Sequence, residues 1–341
     1  MRYLLVFIMI FVPMFLAAQD SSNVSLISNL YNFWGFTEDV EISGDYAFMP
    51  DAFFGLRVID VSDPANLTTE TFPEITSSKQ LAISGDMLYA TDYMGNMLAV
   101  NISDPLEPEL LGSCSVGEDI GDIVVEGDYA YIADDDIGMV IVNVSDPSDP
   151  FVAGTFETIE GGQSVEIDGD VAYLGADNSD DLFVIDVSIP AMPYQIGIAD
   201  AHHPPEDLTI YGNLLFSASD NEGLYIYNVS TPSNIAELGS YTNVDEVVGV
   251  EVSGIYAYLT DEESGLYVID ISIPSSPSFE AQLDVGDSFV SIAIEGNTAY
   301  IAGESSALHI VDIQTPGDPV EIGSFGATGF LFKIDYQNDY V

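Results

Sequence analysis

Residues 123–147 read Ile-Val-Val-Glu-Gly-Asp-Tyr-Ala-Tyr-Ile-Ala-Asp-Asp-Asp-Ile-Gly-Met-Val-Ile-Val-Asn-Val-Ser-Asp-Pro. Apolar side chains alternate up to Gly127 and again after it, the period-two signature of strands. The Gly-Asp pair between the two runs suits a tight hairpin that needs positive φ. Gly-Met-Val-Ile-Val-Asn (138–143) is a third strand. It stops at Asn143, whose side chain can bond the backbone two residues on, and Pro147 follows as a residue that cannot continue a central strand.

Working outward, the same pattern recurs along most of the chain. The hairpin glycines are Gly44, Gly85, Gly127, Gly169, Gly212, Gly254 and Gly296, spaced by 41, 42, 42, 43, 42 and 42 residues. Apolar residues stand two and four positions before each of them. An aromatic stands four positions after: Phe48, Tyr89, Tyr131, Tyr173, Phe216, Tyr258 and Tyr300. Each third strand ends on Asp60, Asn101, Asn143, Asp186, Asn228, Asp270 or Asp312, and Pro comes four residues later. A further apolar run, as in Glu-Leu-Gly-Ser-Tyr (237–241), completes each unit. Four short antiparallel strands per repeat of about 42 residues, with no helical segment, define an all-β chain, a β-propeller of four-stranded blades.

The third-strand runs Gly-Leu-Arg-Val-Ile-Asp (55–60), Gly-Leu-Tyr-Val-Ile-Asp (265–270) and Ala-Leu-His-Ile-Val-Asp (307–312) carry a resemblance to LVIVD-repeat proteins. The resemblance spans nearly the whole mature chain. It implies a propeller on an exported or surface protein, with no catalytic activity attached. A WD40 reading fails, because Trp34 is the only tryptophan and no Trp-Asp pair occurs.

Seven complete repeats run from about 38 to 329. Residues 25–36 read as an additional outer strand, and residues 331–341 read as the start of a further repeat, with Phe332 and Ile334 at core positions. These ends favour an eighth, incomplete blade in a fragment of a longer protein, with a seven-bladed ring as the alternative. Residues 1–19 read as a secretory signal peptide, with Arg2 before the apolar stretch Tyr3 to Leu16 and small residues at Ala17 and Ala18. Residues 20–341 then form a single propeller domain, outside the cell or on its surface, with no membrane insertion after the leader is removed. Cys114 is the only cysteine, so no internal disulfide forms.

The charge is extreme. There are 57 Asp and Glu against four bases (Arg2, Arg57, Lys79 and Lys333), a net −53. Such a chain repels phosphate backbones and anionic membranes, which excludes nucleic acid as a partner. An extracellular protein or glycan, directly or bridged by metal, is compatible. Solubility alone is the plainer account of the charge.

Carboxylates gather in the loops between second and third strands, as in Asp134-Asp135-Asp136, Asp177 to Asp181, Asp220-Asn221-Glu222 and Asp261-Glu262-Glu263. Five residues before the repeat glycine, where the innermost strand begins, stand Asp39, Asp122 and Asp207, with Glu38 and Glu206 beside them. These five are the candidate ligands for a metal at the channel mouth. Hard oxygen donors of this kind suit Ca²⁺. Turn carboxylates holding no ion explain the same residues without a site. Three Asn-X-Ser sequons, at Asn101, Asn143 and Asn228, coincide with the strand-stop position and need no glycan. His202 and His203 are adjacent and poorly placed to share a zinc ion, and His309 lies inside a strand. Three histidines and one cysteine offer no Ser-His-Asp or Cys-His arrangement. The functions compatible with this sequence are a non-catalytic binding module using an acidic loop face, a cation-dependent extracellular hydrolase or lyase, and a structural surface-layer component.

Overall fold

The computed structural model describes residues 37–51, 55–75, 78–303 and 307–326. The chain divides into two compact units, Met1–Phe33 and Trp34–Val341, and every described residue belongs to the second. The expected leader, the strand at 25–36 and the repeat start at 331–341 lie outside the described residues.

Seven four-stranded antiparallel sheets follow one another, each a meander in sequence order. The innermost strands are Glu41–Ser43, Ser78–Ser84, Ile120–Glu126, Ser164–Asp168, Asp207–Tyr211, Val247–Ser253 and Phe289–Glu295. Every hairpin glycine has positive φ, from 58° at Gly44 to 65° at Gly254, the left-handed backbone that the tight turn requires, and at all but Gly254 the next residue is Asp or Asn. Each of the seven strand-stop residues accepts the backbone N–H two residues on, for example Ser103 N to Asn101 Oδ1 at 2.9 Å and Ser272 N to Asp270 Oδ1 at 2.8 Å. In all three sequons the Asn side-chain oxygen is thus the acceptor of a turn bond.

The core consists of seven apolar clusters, one in every seam between neighbouring blades. Within one strand, alternate residues serve the two neighbours. Ala130 and Ile132 of blade three pack toward blade two, whereas Tyr131 and Ala133 pack toward Val165, Ile167 and Leu174 of blade four. Both faces of each sheet are covered, so the third strands are apolar runs and not alternating ones, interrupted only by the buried Arg57 and His309. The seventh cluster joins Tyr300, Leu308 and Ile310 of blade seven to Val40, Ala47 and Met49 of blade one. That contact closes the ring at seven and corrects the eight-bladed expectation. The two faces that an eighth blade would have to separate already bury each other.

A second repeated contact ties each outermost strand to the next blade. Gly112, Gly154, Gly197, Gly239 and Gly323 each lie so close to the next strand-stop loop that an added Cβ would come within 3.0 Å of a proline carbonyl, that of Pro147, Pro190, Pro232, Pro274 or Pro64. In these blades, and in blade six where Ala281 replaces the glycine, the third-to-outermost pairing carries a bulge beside this residue. Blade one has Glu70 there and stays in register.

Two substitutions test this packing. Tyr131 is 4% exposed, and Tyr131→Ala is expected to lower unfolding free energy by about 3–5 kcal/mol in a denaturant titration, through lost burial and a cavity. Gly154→Val places a branched side chain against the Pro190 carbonyl and is expected to cost about 1–3 kcal/mol by the same measurement.

Candidate functional site: an acid-lined channel

The seven innermost strands surround a central cavity of about 220 Å³. Alternation along each strand turns two positions toward it, five and three residues before the repeat glycine. The first carries Asp39, Asp122 and Asp207 on blades one, three and five. The second carries Glu41, Glu166 and Glu251 on blades one, four and six. The structure therefore brings the three candidate aspartates around one channel and adds a belt of three glutamates that sequence reading missed. Their signal was legible, because residues two apart on a strand share a face.

Each aspartate makes the same pair of bonds. One oxygen accepts the N–H of the following residue: Val40 N to Asp39 Oδ1 at 2.7 Å, Ile123 N to Asp122 Oδ1 at 2.6 Å, Leu208 N to Asp207 Oδ1 at 2.7 Å. The other oxygen accepts an N–H from the next blade: Leu81 N to Asp39 Oδ2 at 2.8 Å, Val165 N to Asp122 Oδ2 at 2.9 Å, Val250 N to Asp207 Oδ2 at 2.8 Å. The three side chains staple blade one to two, three to four and five to six. Seven is odd, so a strict alternation of aspartates would set two carboxylates on adjacent blades where the ring closes. Blade seven instead carries Ser291, whose hydroxyl donates to Asp39 at 2.8 Å. Other groups bridge two more seams. Lys79 Nζ donates to the Ile120 carbonyl of blade three, and Ser164 Oγ donates to the Pro205 carbonyl before blade five at 2.8 Å.

The flanking candidates are engaged at the mouth. Glu38 accepts the Tyr93 hydroxyl at 2.7 Å, and Glu206 accepts Gln163 Nε2 at 2.9 Å. Among the described residues no three His, Cys, Asp or Glu side chains are grouped closely enough to hold one metal ion.

Burial is the chief cause of raised pKa values along the channel, and neighbouring carboxylates add to it for all but Glu251. Asp122 is raised to about 6, Glu251 to about 7 and Glu166 to about 8. Asp39 and Glu206 are raised, and Glu41 and Asp207 well so, for the same first reason. The accepted N–H bonds of the aspartates act the other way and are outweighed.

Several acidic loop residues are also structural. Asp261 accepts the N–H groups of Asp245 and Glu246 on one oxygen and those of Glu263 and Ser264 on the other, joining a hairpin loop to the loop between blades. Asp134 accepts from Asp136 and Ile137. Asp177 is raised to about 6 by burial and by its neighbour Asp135. The histidines are dispersed. His202 stacks on Tyr225 at 4.3 Å and contacts Glu237, and His203 lies 3.6 Å from Asp220. His309 is held between Asp287 and Glu321.

With this geometry established, the class of protein follows: a seven-bladed β-propeller whose channel is lined with acids. The LVIVD repeat profile matches residues 34–71, 76–116, 117–158, 161–201, 205–243, 246–285 and 288–326, and the chain belongs to the LVIVD-repeat family. No curated protein matches it. Among solved structures, the computationally designed Ika8 protein is similar with a TM-score of 0.65 at 10% identity, over 89% of this chain and 92% of its own. The β-propeller domain of Myceliophteria thermophila Cps50 (Swd1) is similar with a TM-score of 0.65 at 12% identity, over 80% and 94%. Saccharomyces cerevisiae Sqt1 follows with 0.63 at 10% identity, over 84% of each chain. At such identities these likenesses speak to the fold alone.

The staple reading has a direct check. Asp122→Ala leaves the N–H groups of Ile123 and Val165 without their acceptor and is expected to destabilise the ring by about 1–3 kcal/mol. Asp149→Ala, at an exposed turn, is expected to change stability by less than about 0.5 kcal/mol in the same thermal or denaturant series.

Proposed function

We propose that this chain is an exported, non-catalytic interaction module that works outside the cell or on its surface and binds a basic segment of a partner protein on its acidic loop face. The repeat family and the propeller fold support an interaction module. The observation that carries the choice of partner is the lack of compensating cations. Of the bases among the described residues, Arg57 is buried in an ion pair with Asp51 at 2.9 Å, and the Lys79 ammonium is bonded to the Ile120 carbonyl. The loop carboxylates Asp136, Glu222 and Glu263 are exposed, and Asp135 beside them is half-buried and accepts the Asn178 side-chain amide. A dense field of one sign attracts a partner of the other and speeds its encounter. Met94, in the hairpin loop of blade two, and Ile159, between blades three and four, are exposed apolar side chains that a bound segment can cover.

Isothermal titration with short oligolysine and oligoglutamate peptides tests the partner class. Oligolysine is expected to bind at low salt, to weaken steeply as NaCl rises to about 0.5 M, and to weaken when Asp135, Asp136 and Glu263 are neutralised. Oligoglutamate is expected not to bind. Equal heats from both peptides, or oligolysine binding indifferent to those substitutions, would overturn the choice. Export has its own readout. Mass spectrometry of protein recovered outside the cell is expected to show a mature N-terminus near Ala18 or Gln19, and intact Met1 in the cytoplasm would contradict it.

A further inference from the structure

We propose that His309, Asp287 and Glu321 hold one proton in common and that this proton latches the last blade: it ties the loop before blade seven to that blade's outermost strand, and the tie is released as the proton leaves. His309 is buried on the third strand, Ala307–Asp312. Its Nδ1 lies 2.8 Å from Glu321 Oε1, on the outermost strand Val320–Phe325. Its Nε2 lies 3.1 Å from Asp287 Oδ2, in the loop that leads into Phe289–Glu295. A neutral imidazole has one N–H and one bare lone pair, whereas an ionised carboxylate only accepts. Carboxylates at hydrogen-bond distance from both ring nitrogens are therefore satisfied only if the three groups carry one proton more than a neutral ring and two carboxylates do. The count is the same whether that proton sits on the ring or on a carboxyl.

Comparison between blades supports the assignment. In blades one, two, three and six the second strand ends on an aspartate: Asp51, Asp92, Asp134 or Asp261. Blade seven has Gly303 there, and Asp287 takes the vacated space, because a Cβ on Gly303 would collide with Asp287 Oδ2. At the repeat position of His309, blade one carries Arg57, paired with Asp51 at 2.9 Å. Alternation puts Arg57 with Ile59 in the seam between blades seven and one, and His309 with Val311 in the seam between blades six and seven. A guanidinium keeps its proton in proteins and an imidazole does not, so blade seven has a permanent cation on one side and a removable one on the other. The remaining surroundings of the ring carry little charge. Phe289 covers it at 5.0 Å, Ile301 and Ser324 are its strand partners, and the blade-six side is apolar but for the hydroxyls of Tyr256 and Tyr258. Asp284, in the same loop as Asp287, accepts Gly286 N; Glu304 lies outside the described residues. When the proton leaves, a ring lone pair faces a carboxylate oxygen, and that carboxylate turns away. Glu321 is more exposed than Asp287, 32% against 14%, so the outermost strand loosens first. The tie contributes stability that is fully present while the proton is held and is lost as pH rises through its release.

The experiment is hydrogen exchange read by mass spectrometry from about pH 5 to about pH 9, a range that brackets an unperturbed imidazole near 6.5, with rates corrected for the intrinsic pH dependence of exchange. Residues 320–325, and with them 284–288, are expected to lose protection by up to about tenfold per pH unit once the proton leaves. The reference is residues 151–163 of blade three and the loop after it, where no histidine stands. His309→Arg copies blade one and is expected to keep protection level with pH. Asp287→Asn supplies a donor to a bare Nε2 and is expected to do the same. His309→Gln is expected to show the low, alkaline level of protection throughout. A parent profile no steeper than the blade-three reference, or a parent-like slope in His309→Arg and Asp287→Asn, would overturn the proposal. If the variants do not fold, the imidazole ¹⁵N signals of the parent protein decide: a His309 ring that gives up its proton with no change in exchange at 284–288 and 320–325 would sink it.

Discussion

A propeller blade is a thin sheet with two apolar faces, and neither can be left in water. In this chain every blade meets that constraint through its neighbours, one face on each side, and the last blade can do so only by reaching the first. The cluster that joins Tyr300 and Ile310 to Val40 and Met49 is therefore what makes the remaining six seams consistent. The tight hairpin glycines and the strand-stop turns fix the length and direction of each strand. The glycine-to-proline contacts at the outer edge then set how closely successive blades approach.

Closing the ring creates a second constraint at its centre. The innermost strands converge on a narrow channel, and the N–H groups of Leu81, Val165 and Val250 face the preceding blade. Buried amide groups without acceptors are costly. The aspartates supply those acceptors, two bonds each, and they do it on alternate blades so that the charges stay apart. An odd number of blades breaks the alternation once, and the break is filled by a serine hydroxyl. The charge on these side chains is thus tied to the mechanical integrity of the ring, which is a different role from the ion ligation that their spacing also suggests.

The overall acidity has at least three separate causes. Some carboxylates cap strand-stop turns, as Asp60 and Asp270 do. Others clasp loops, as Asp134 and Asp261 do, and a third set lines the channel. In the function proposed above, the carboxylates left over on the loops, and not the net charge as a whole, are what would meet a partner.

Local chemistry made most of the architecture readable from the chain itself. Period-two alternation, Gly-Asp turns and Asx-Pro strand ends depend on residues a few positions apart, and each is found where the spacing put it. The burial of Tyr131 and Tyr173 followed from the same register. The number of blades did not, because residues at the two ends repeat the strand pattern equally well, and only the contact between blades seven and one excludes an intervening sheet. The candidate aspartates were identifiable by position, but their bonds to Leu81, Val165 and Val250 join residues some forty positions apart. The glutamates Glu41, Glu166 and Glu251 were overlooked for a related reason. They stand on different blades, and they become a group only when the ring brings those strands around one axis. Sequence determines what each strand presents on its two sides; closure decides which of those sides meet.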